Sequence, residues 1–262
     1  MNYKVLISDN LSKGIVNKFK REDIGVVYNP EIGKENSLLL KEICNYDAIA
    51  IRSDTKLDSV VLNKAIKLKV IGRAGIGVDN IDLDSASSKG IVVMNTPFGN
   101  AITTAEHTIA MIFAAARNIP AANQSTQSGR WEKKKFIGIE LSRKKLGIVG
   151  VGNIGSIVAS LAQSIGMEII AYDPFLSDER AKNLKIYKTK DLNDLLSQSD
   201  VVTLHLPKNE NTHNIISREN IYKMKKGSIL VNCARGGLVE EIAVAEAIKT
   251  ASKLLLSNNS KT

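Results

Sequence analysis

The chain has 262 residues, of which 44% are hydrophobic and 24% are charged. This is the composition of an ordinary globular protein, and it excludes a chain that is disordered, collagen-like or coiled-coil throughout. The formal net charge is +9, but the lysines are scattered and aromatic residues make up only 5% of the chain, so nucleic-acid binding is disfavoured.

The sequence predicts neither a membrane span nor a secretory signal. No apolar run approaches the roughly 18 residues that a spanning helix needs. Residues 1–9 have the pattern of a β-strand rather than that of a signal peptide. The two cysteines, Cys44 and Cys233, lie far apart in the sequence and define no disulfide framework. We therefore expect a cytoplasmic protein without a membrane partner, and no metal site is predicted.

Short apolar segments that predict β-strands alternate with amphipathic segments that predict helices. The first group of strands comprises residues 4–8, 25–28, 48–51, 70–72 and 91–94, and the second comprises residues 146–149, 168–172, 201–204 and 228–232. Helices are predicted over residues 12–19, 37–43, 103–117 and 153–165. The strands are rich in Val, Ile and Leu, as is typical of parallel strands buried on both faces. The alternation predicts a doubly wound α/β fold.

Because the series of strands occurs twice, we predict two Rossmann-like or flavodoxin-like lobes with parallel sheets, the second incomplete at the C-terminus. The turn at residues 95–99 closes the first series, and the long helix over residues 103–117, ended by Pro120, opens the second. Residues 124–141 are predicted to form an irregular polar arm. The boundary is placed near Pro97. The predicted domains are residues 1–97 and 98–262.

The strongest local signal is the segment Gly150-Val-Gly-Asn-Ile-Gly155, a GxGxxG motif between a predicted strand and a predicted helix. Gly150 permits the tight turn, Gly152 lets a pyrophosphate approach the backbone, and Gly155 lets the helix pack closely on the strand. The helix that begins at Asn153 and Ile154 offers free N–H groups and the positive end of its dipole to phosphates. The motif predicts a dinucleotide site.

An acidic residue follows at the position where a dinucleotide needs one. Asp173 ends the next predicted strand, 18 residues beyond Gly155. A carboxylate there accepts hydrogen bonds from the adenosine ribose, and it repels the extra phosphate of NADP because the charges are alike. The sequence therefore predicts NAD in preference to NADP. The alternative, a Rossmann-like fold whose crevice binds no dinucleotide, stays open at this point.

Several motifs together resemble the D-isomer-specific 2-hydroxyacid dehydrogenases. They are residues 150–155, 172–174, 205–207 and 231–238. Three further stretches, residues 52–56, 72–80 and 129–136, resemble the members of that family that act on 3-phosphoglycerate. The resemblance implies an enzyme with a substrate domain followed by an NAD-binding domain. Its reaction would be NAD-dependent oxidation of 3-phospho-D-glycerate to 3-phosphooxypyruvate, the entry to L-serine synthesis, in a homodimer formed through the long helix and the arm.

The resemblance also implies the site residues. Arg235 would bind the substrate carboxylate and polarise the C2 oxygen, because a planar guanidinium pairs with a carboxylate through two hydrogen bonds. Phosphate binding is assigned to Arg52 and Arg73. The implied substrate-binding residues are Arg52, Ser53, Arg73, Ala74 and Gly75. The implied cofactor-binding residues are Gly150, Gly152, Asn153, Ile154, Gly155, Asp173, His205, Leu206, Pro207, Cys233, Ala234 and Arg235.

The family's proton-transferring Glu and His would lie beyond Thr262, where this chain ends. Without a positioned acid–base group, we expect slow turnover. Residues 249–262 depart from the family pattern, and we interpret them as an altered or truncated terminus. Two other functions stay open: a dehydrogenase for another D-2-hydroxy acid, such as glycerate or hydroxypyruvate, and a non-catalytic NAD(H)-binding module.

Overall fold

The computed structural model describes residues 3–12 and 14–250, without the side chain of residue 250. Within these ranges no helix is both long and apolar enough to cross a lipid bilayer. The interpretation of residues 249–262 as an altered or truncated terminus falls, from position 251 onward, outside the described residues.

The chain divides into two compact units, Met1–Asn100 (unit 1) and Ala101–Thr262 (unit 2). Unit 1 contains the strands β1 Lys4–Ile7, β2 Gly25–Tyr28, β3 Ala48–Ile51, β4 Val70–Arg73 and β5 Val92–Asn95, and the helices α1 Gly14–Arg21, α2 Asn36–Glu42, α3 Ser59–Lys64 and α4 Leu83–Ser88. The five strands are parallel and form one sheet in the order β2-β1-β3-β4-β5. This is the strand order of the flavodoxin-like fold.

Unit 2 is also built on one parallel sheet. It contains the strands β6 Lys145–Val149, β7 Glu168–Tyr172, β8 Tyr187–Thr189, β9 Val201–Leu204 and β10 Ile229–Asn232, and the helices α5 Ala101–Ala116, α6 Ile119–Gln127, α7 Asn153–Ser164, α8 Asp178–Asn183, α9 Leu192–Gln198 and α10 Glu241–Thr250. The sheet order is β10-β9-β6-β7-β8, so the chain starts at the central strand and winds first to one side and then to the other. Dinucleotide-binding domains use this order.

The cores of both units lie on the two faces of the sheets. Leu6 and Ile49 are fully or almost fully buried in unit 1, and Ile148, Val202 and Leu230 are fully buried in unit 2. Strands with successive apolar residues bury both faces only when helices cover both sides of the sheet. The predicted α/β fold with two parallel sheets is confirmed. The predicted domain limits and the functions assigned to each domain stay predictions.

Two details of unit 2 differ from the sequence prediction. The prediction that Pro120 ends the long helix is wrong: α5 ends at Ala116, and Pro120 lies in the first turn of α6. Proline suits that position because its missing N–H would have no acceptor within the helix. The predicted irregular arm over residues 124–141 therefore begins with helical residues, since α6 extends to Gln127.

Candidate active site

The Gly-rich loop joins β6 to α7 and turns sharply at Gly150, whose φ is +94°. An added Cβ at this position would lie 2.7 Å from both the His205 carbonyl oxygen and Leu206 Cδ2. The Gly150 N–H donates to the Tyr172 carbonyl oxygen at 3.0 Å, which fixes the loop beside the end of β7. Only glycine meets both the conformation and the space here, which confirms its predicted role in the tight turn.

Gly152 precedes α7 and faces open space, because an added Cβ would meet no atom of the described residues within 4 Å. The first helical hydrogen bond runs from the Ser156 N–H to the Gly152 carbonyl oxygen at 3.1 Å. The N–H groups before Ser156, including those of Asn153 and Ile154, therefore have no acceptor within the helix. Free N–H groups at the positive end of a 12-residue helix, beside an open glycine, fit the diphosphate of a dinucleotide.

Asp173 directly follows β7, and its half-buried carboxylate reaches back to the Gly-rich loop. Its Oδ2 accepts the Val151 N–H at 2.7 Å, and its Oδ1 accepts the Phe175 N–H at 2.8 Å. Each carboxylate oxygen has a second lone pair, so both can also accept ribose hydroxyls. The residue predicted to bind the ribose thus also fastens the phosphate-binding loop.

His205, Leu206 and Pro207 follow β9, the strand that lies beside β6 on the side opposite β7. The backbone N–H of His205 donates to the Val149 carbonyl oxygen at 2.8 Å, and the ring Nε2 of His205 lies 3.1 Å from Thr203 Oγ1. The winding of the sheet reverses between β6 and β9. In open α/β sheets, ligands bind in the crevice at this reversal.

Burial of the His205 imidazole lowers its pKa from 6.5 to about 4. The ring is therefore neutral at pH 7 and is a poor general base there, because a base works best when its pKa is near the working pH. A neutral ring can still donate one hydrogen bond and accept another.

The depressed pKa of His205 makes the stability of unit 2 depend on pH. Between pH 4 and 6.5 the unfolded chain binds more protons at this residue than the folded chain does. The contribution of His205 to folding stability is therefore complete above pH 6.5 and is lost as the pH falls toward 4. We expect acidification from pH 7 to 5 to lower the free energy of unfolding by about 2 kcal/mol through this group. Unfolding measured at both pH values should show a smaller acid loss in His205→Gln. The exposed His213→Gln variant is the control, and an equal acid loss in all three proteins would contradict the assignment.

The segment after β10 carries Arg235 and is held by Asn232, which is 1% exposed. Asn232 Nδ2 donates to the Arg235 carbonyl oxygen at 2.8 Å, and Asn232 Oδ1 accepts the Ala234 N–H at 3.1 Å. Arg235 is half-buried, and its Nη1 donates to the Ala234 carbonyl oxygen at 2.9 Å. Cys233 is buried. Since β9 and β10 are neighbours, this segment and the one at His205 leave the same edge of the sheet.

A cavity of about 320 Å³ lies in unit 1. It is lined by Asn10, Leu11, Ser12, Arg52, Ala74, Gly75, Thr96, Gly99 and Asn100, which follow the carboxyl ends of β1, β3, β4 and β5. The volume is at the lower end of the range for small-molecule sites. Within this lining, all of it in the described part of the chain, Arg52 is the only charged residue. The cavity is therefore suited to a small anion.

Three of the five predicted substrate residues line this cavity, namely Arg52, Ala74 and Gly75. The described lining does not include Ser53 or Arg73. The Ser53 hydroxyl donates to Asp54 Oδ1 at 3.4 Å. The Arg73 guanidinium lies across Gly75, where an added Cβ would overlap its Nη1. Arg73 therefore borders a residue of the cavity lining.

The loop that carries Arg52 is fastened by Asp9, which is 1% exposed. Asp9 Oδ2 accepts the Arg52 N–H and lies 3.4 Å from the Thr55 nitrogen. Asn80 Nδ2 donates to the carbonyl oxygens of Arg52 and Thr55, both at 2.6 Å. The backbone that positions Arg52 is thus held from two sides.

Sequence reasoning missed the cavity residues outside the Arg52 and Gly75 motifs. Asn10, Leu11 and Ser12 follow the first strand, and Thr96 and Asn100 follow the fifth. The rule that ligands bind at the carboxyl ends of parallel strands would have selected both segments once the strands were assigned.

The Gly-rich loop, the open helix N-terminus and the strand-end carboxylate define unit 2 as a dinucleotide-binding domain of the doubly wound α/β class. Residues 109–253 match the family described as "D-isomer specific 2-hydroxyacid dehydrogenase, NAD binding domain". The chain belongs to the D-isomer-specific 2-hydroxyacid dehydrogenase family. This finding confirms the predicted family and NAD as the dinucleotide of its binding domain.

Relatives of known name agree with this assignment. The chain is 46% identical over 246 residues to the D-3-phosphoglycerate dehydrogenase of Archaeoglobus fulgidus, covering 94% of this chain and 46% of that protein. The Bacillus subtilis D-3-phosphoglycerate dehydrogenase is 42% identical over 248 residues, covering 94% and 46%. The chain thus spans about half the length of these relatives. The structure of Aquifex aeolicus D-lactate dehydrogenase complexed with NAD and lactic acid has a TM-score of 0.87 and 29% identity, covering 98% of this chain and 77% of that one.

Proposed function

We propose that this chain binds NAD and takes part in the oxidation of 3-phospho-D-glycerate at C2 to 3-phosphooxypyruvate. The observation that carries the proposal is the cradle formed by Gly150, Gly152 and Gly155 and fastened by Asp173. Bound NAD would supply a hydride acceptor. The residues that would hold it are those of the Gly-rich loop, Asp173 and the segments at residues 205–207 and 233–235.

The substrate would be held by cationic and N–H groups. Arg235 would pair with the carboxylate and polarise the C2 oxygen, and Arg52 would meet the phosphate from the cavity lining. A role for Arg73 in phosphate binding is supported by its position against Gly75. These assignments agree with the names of the relatives that are more than 40% identical.

The reaction is tested by the appearance of NADH absorbance when the 262-residue chain is given NAD and 3-phosphoglycerate. The comparison substrates are glycerate and lactate, each with NAD, and hydroxypyruvate with NADH. Lactate is included because one similar structure is a D-lactate dehydrogenase. A higher kcat/KM for glycerate than for 3-phosphoglycerate would overturn the proposed substrate. NADH binding with no turnover of any acid would favour the NAD(H)-binding module. The same assay tests the prediction of slow turnover.

Asp173 makes the choice between NAD and NADP measurable. We expect the unaltered chain to bind NAD at least about tenfold more tightly than NADP, because the carboxylate repels the additional phosphate. Asp173→Asn should weaken NAD binding and narrow this ratio, as calorimetry would show. Asp178→Asn is the matched control, since the Asp178 side chain is 92% exposed on α8. A ratio of dissociation constants near one in the unaltered chain would contradict the expected preference.

We also propose that the protein is a homodimer and cytoplasmic, as the family resemblance suggests. Exposed apolar side chains on the segment after α6, among them Trp131 at 82% and Ile137 at 72%, support an interface there.

A further inference from the structure

The loop after β1 forms part of the cavity wall in unit 1 and is held by the neighbouring strand. Asn10, Leu11 and Ser12 line the cavity together with Arg52. The hydroxyl of Tyr28, the last residue of β2, lies 3.1 Å from Asn10 Oδ1 and 3.2 Å from the Leu11 carbonyl oxygen. Because β1 and β2 are parallel neighbours, Tyr28 reaches this loop from the same edge of the sheet.

These contacts set the direction of the Asn10 amide. The Tyr28 hydroxyl is the only donor among the three oxygens, since the other two belong to an amide and a carbonyl. Asn10 Oδ1 therefore acts as an acceptor toward Tyr28, and Nδ2 keeps both of its N–H groups for another partner. Within the described residues, Asn10 Nδ2 has no hydrogen-bond acceptor.

The charges around this amide favour an anionic partner. The described lining contains Arg52 but no Asp or Glu. The nearest carboxylate in the sequence, Asp9, is 1% exposed and accepts the Arg52 N–H. Arg52 and Asn10 both line this cavity, and cationic and N–H donors form charge-assisted hydrogen bonds to oxyanions.

We propose that Asn10 is a specificity-determining residue that donates its Nδ2 hydrogens to the phosphate of the substrate, and that Tyr28 is the positioning residue that orients it. The inference rests on the proposed function, because it explains how the cavity would prefer a phosphorylated 2-hydroxy acid to a non-phosphorylated one. Phosphate binding is already proposed for Arg52, which lines the same cavity, so the phosphate is the anionic group expected beside Asn10.

The main test is Asn10→Asp, which keeps the side-chain shape and replaces the donor by an anionic oxygen. We expect the dissociation constant of 3-phosphoglycerate, measured by calorimetry on the 262-residue chain, to rise at least about tenfold. That of glycerate should change less than about threefold. Asn45→Asp is the matched control: it adds the same charge at an exposed residue before the amino end of β3, and it should leave both constants unchanged.

A second pair of variants keeps the test decisive if the added charge disturbs folding. Asn10→Ala removes the donor without adding charge and should weaken 3-phosphoglycerate binding about threefold to fivefold. Tyr28→Phe should give a similar loss alone and no further loss when combined with Asn10→Ala, because a residue that acts through another shows no separate effect. Additive losses would overturn the positioning role of Tyr28.

The outcomes separate this inference from the proposed function. If the unaltered chain binds 3-phosphoglycerate and the Asn10 variants bind it equally well, the inference is wrong and the proposed function stands. If the unaltered chain does not bind 3-phosphoglycerate, both are wrong. A selective loss of the phosphorylated acid in Asn10→Asp and Asn10→Ala supports both.

Discussion

Replacing Gly152 with valine is expected to weaken NADH binding at least about 100-fold while leaving the stability of unit 2 nearly unchanged. Gly152 has φ −77° and ψ −152°, an extended backbone with negative φ, so no left-handed conformation requires glycine there. Among residues 3–12 and 14–250, an added Cβ meets no atom within 4 Å, so this part of the fold can accept a side chain there. The same open space is where a diphosphate must approach the N–H groups of α7. Titration with NADH gives the affinity, and denaturant unfolding gives the stability.

The control for this variant is Gly227→Ala. Gly227 has φ +80° and also faces open space, but it precedes the amino end of β10. An alanine there should cost about 1–2 kcal/mol of stability through its left-handed backbone and should leave NADH affinity unchanged. If Gly152→Val binds NADH as tightly as the unaltered chain, the open space at Gly152 is not the diphosphate site.

Much of the fold could be predicted because its determinants are local. Strands with successive apolar residues, such as residues 146–149 of β6 and 201–202 of β9, indicate a buried parallel sheet without knowledge of their neighbours. The tight turn at Gly150 could be predicted for the same reason, since the motif lies directly between a strand and a helix. The strand β8 was harder to recognise because it has three residues, of which Tyr187 is exposed and only Thr189 is buried.

The contacts that shape the unit 1 cavity are not local, and the sequence pattern does not contain them. Tyr28 and Asn10 are 18 positions apart and lie on segments that meet only when β2 pairs with β1. Asp9 and the loop at Arg52 are separated by 43 positions. An acidic residue after a strand indicates a loop, but its partner becomes known only from the register of the sheet.

One arrangement recurs where the candidate functional loops leave the two sheets. Asp9 after β1, Asp173 after β7 and Asn232 at the end of β10 each use a side-chain oxygen to accept backbone N–H groups. In each case the recipient is a loop that carries a candidate ligand-binding residue. Buried or half-buried acceptors of this kind fix a loop because leaving the N–H groups unpaired would cost free energy. In both units, side chains at or just after the strand ends thus hold the loops that carry candidate ligand-binding residues.

Replacing Gly155 with alanine is expected to destabilise unit 2 by about 2–4 kcal/mol, which reverses the usual gain of about 0.5–1 kcal/mol when alanine replaces glycine within a helix. An added Cβ would overlap the Gly150 carbonyl oxygen. That carbonyl cannot move freely, because the Val151 N–H of the same peptide plane donates to Asp173 Oδ2 at 2.7 Å. Hydrogen exchange of the β6 and α7 amides should therefore become faster. Gly14→Ala is the matched control in α1. Among the described residues an added Cβ there meets only Ser12 Oγ, at 3.6 Å, so this variant should not accelerate hydrogen exchange of the amides around it. Unchanged or slower exchange in Gly155→Ala would show that helix and turn are not closely packed at this residue.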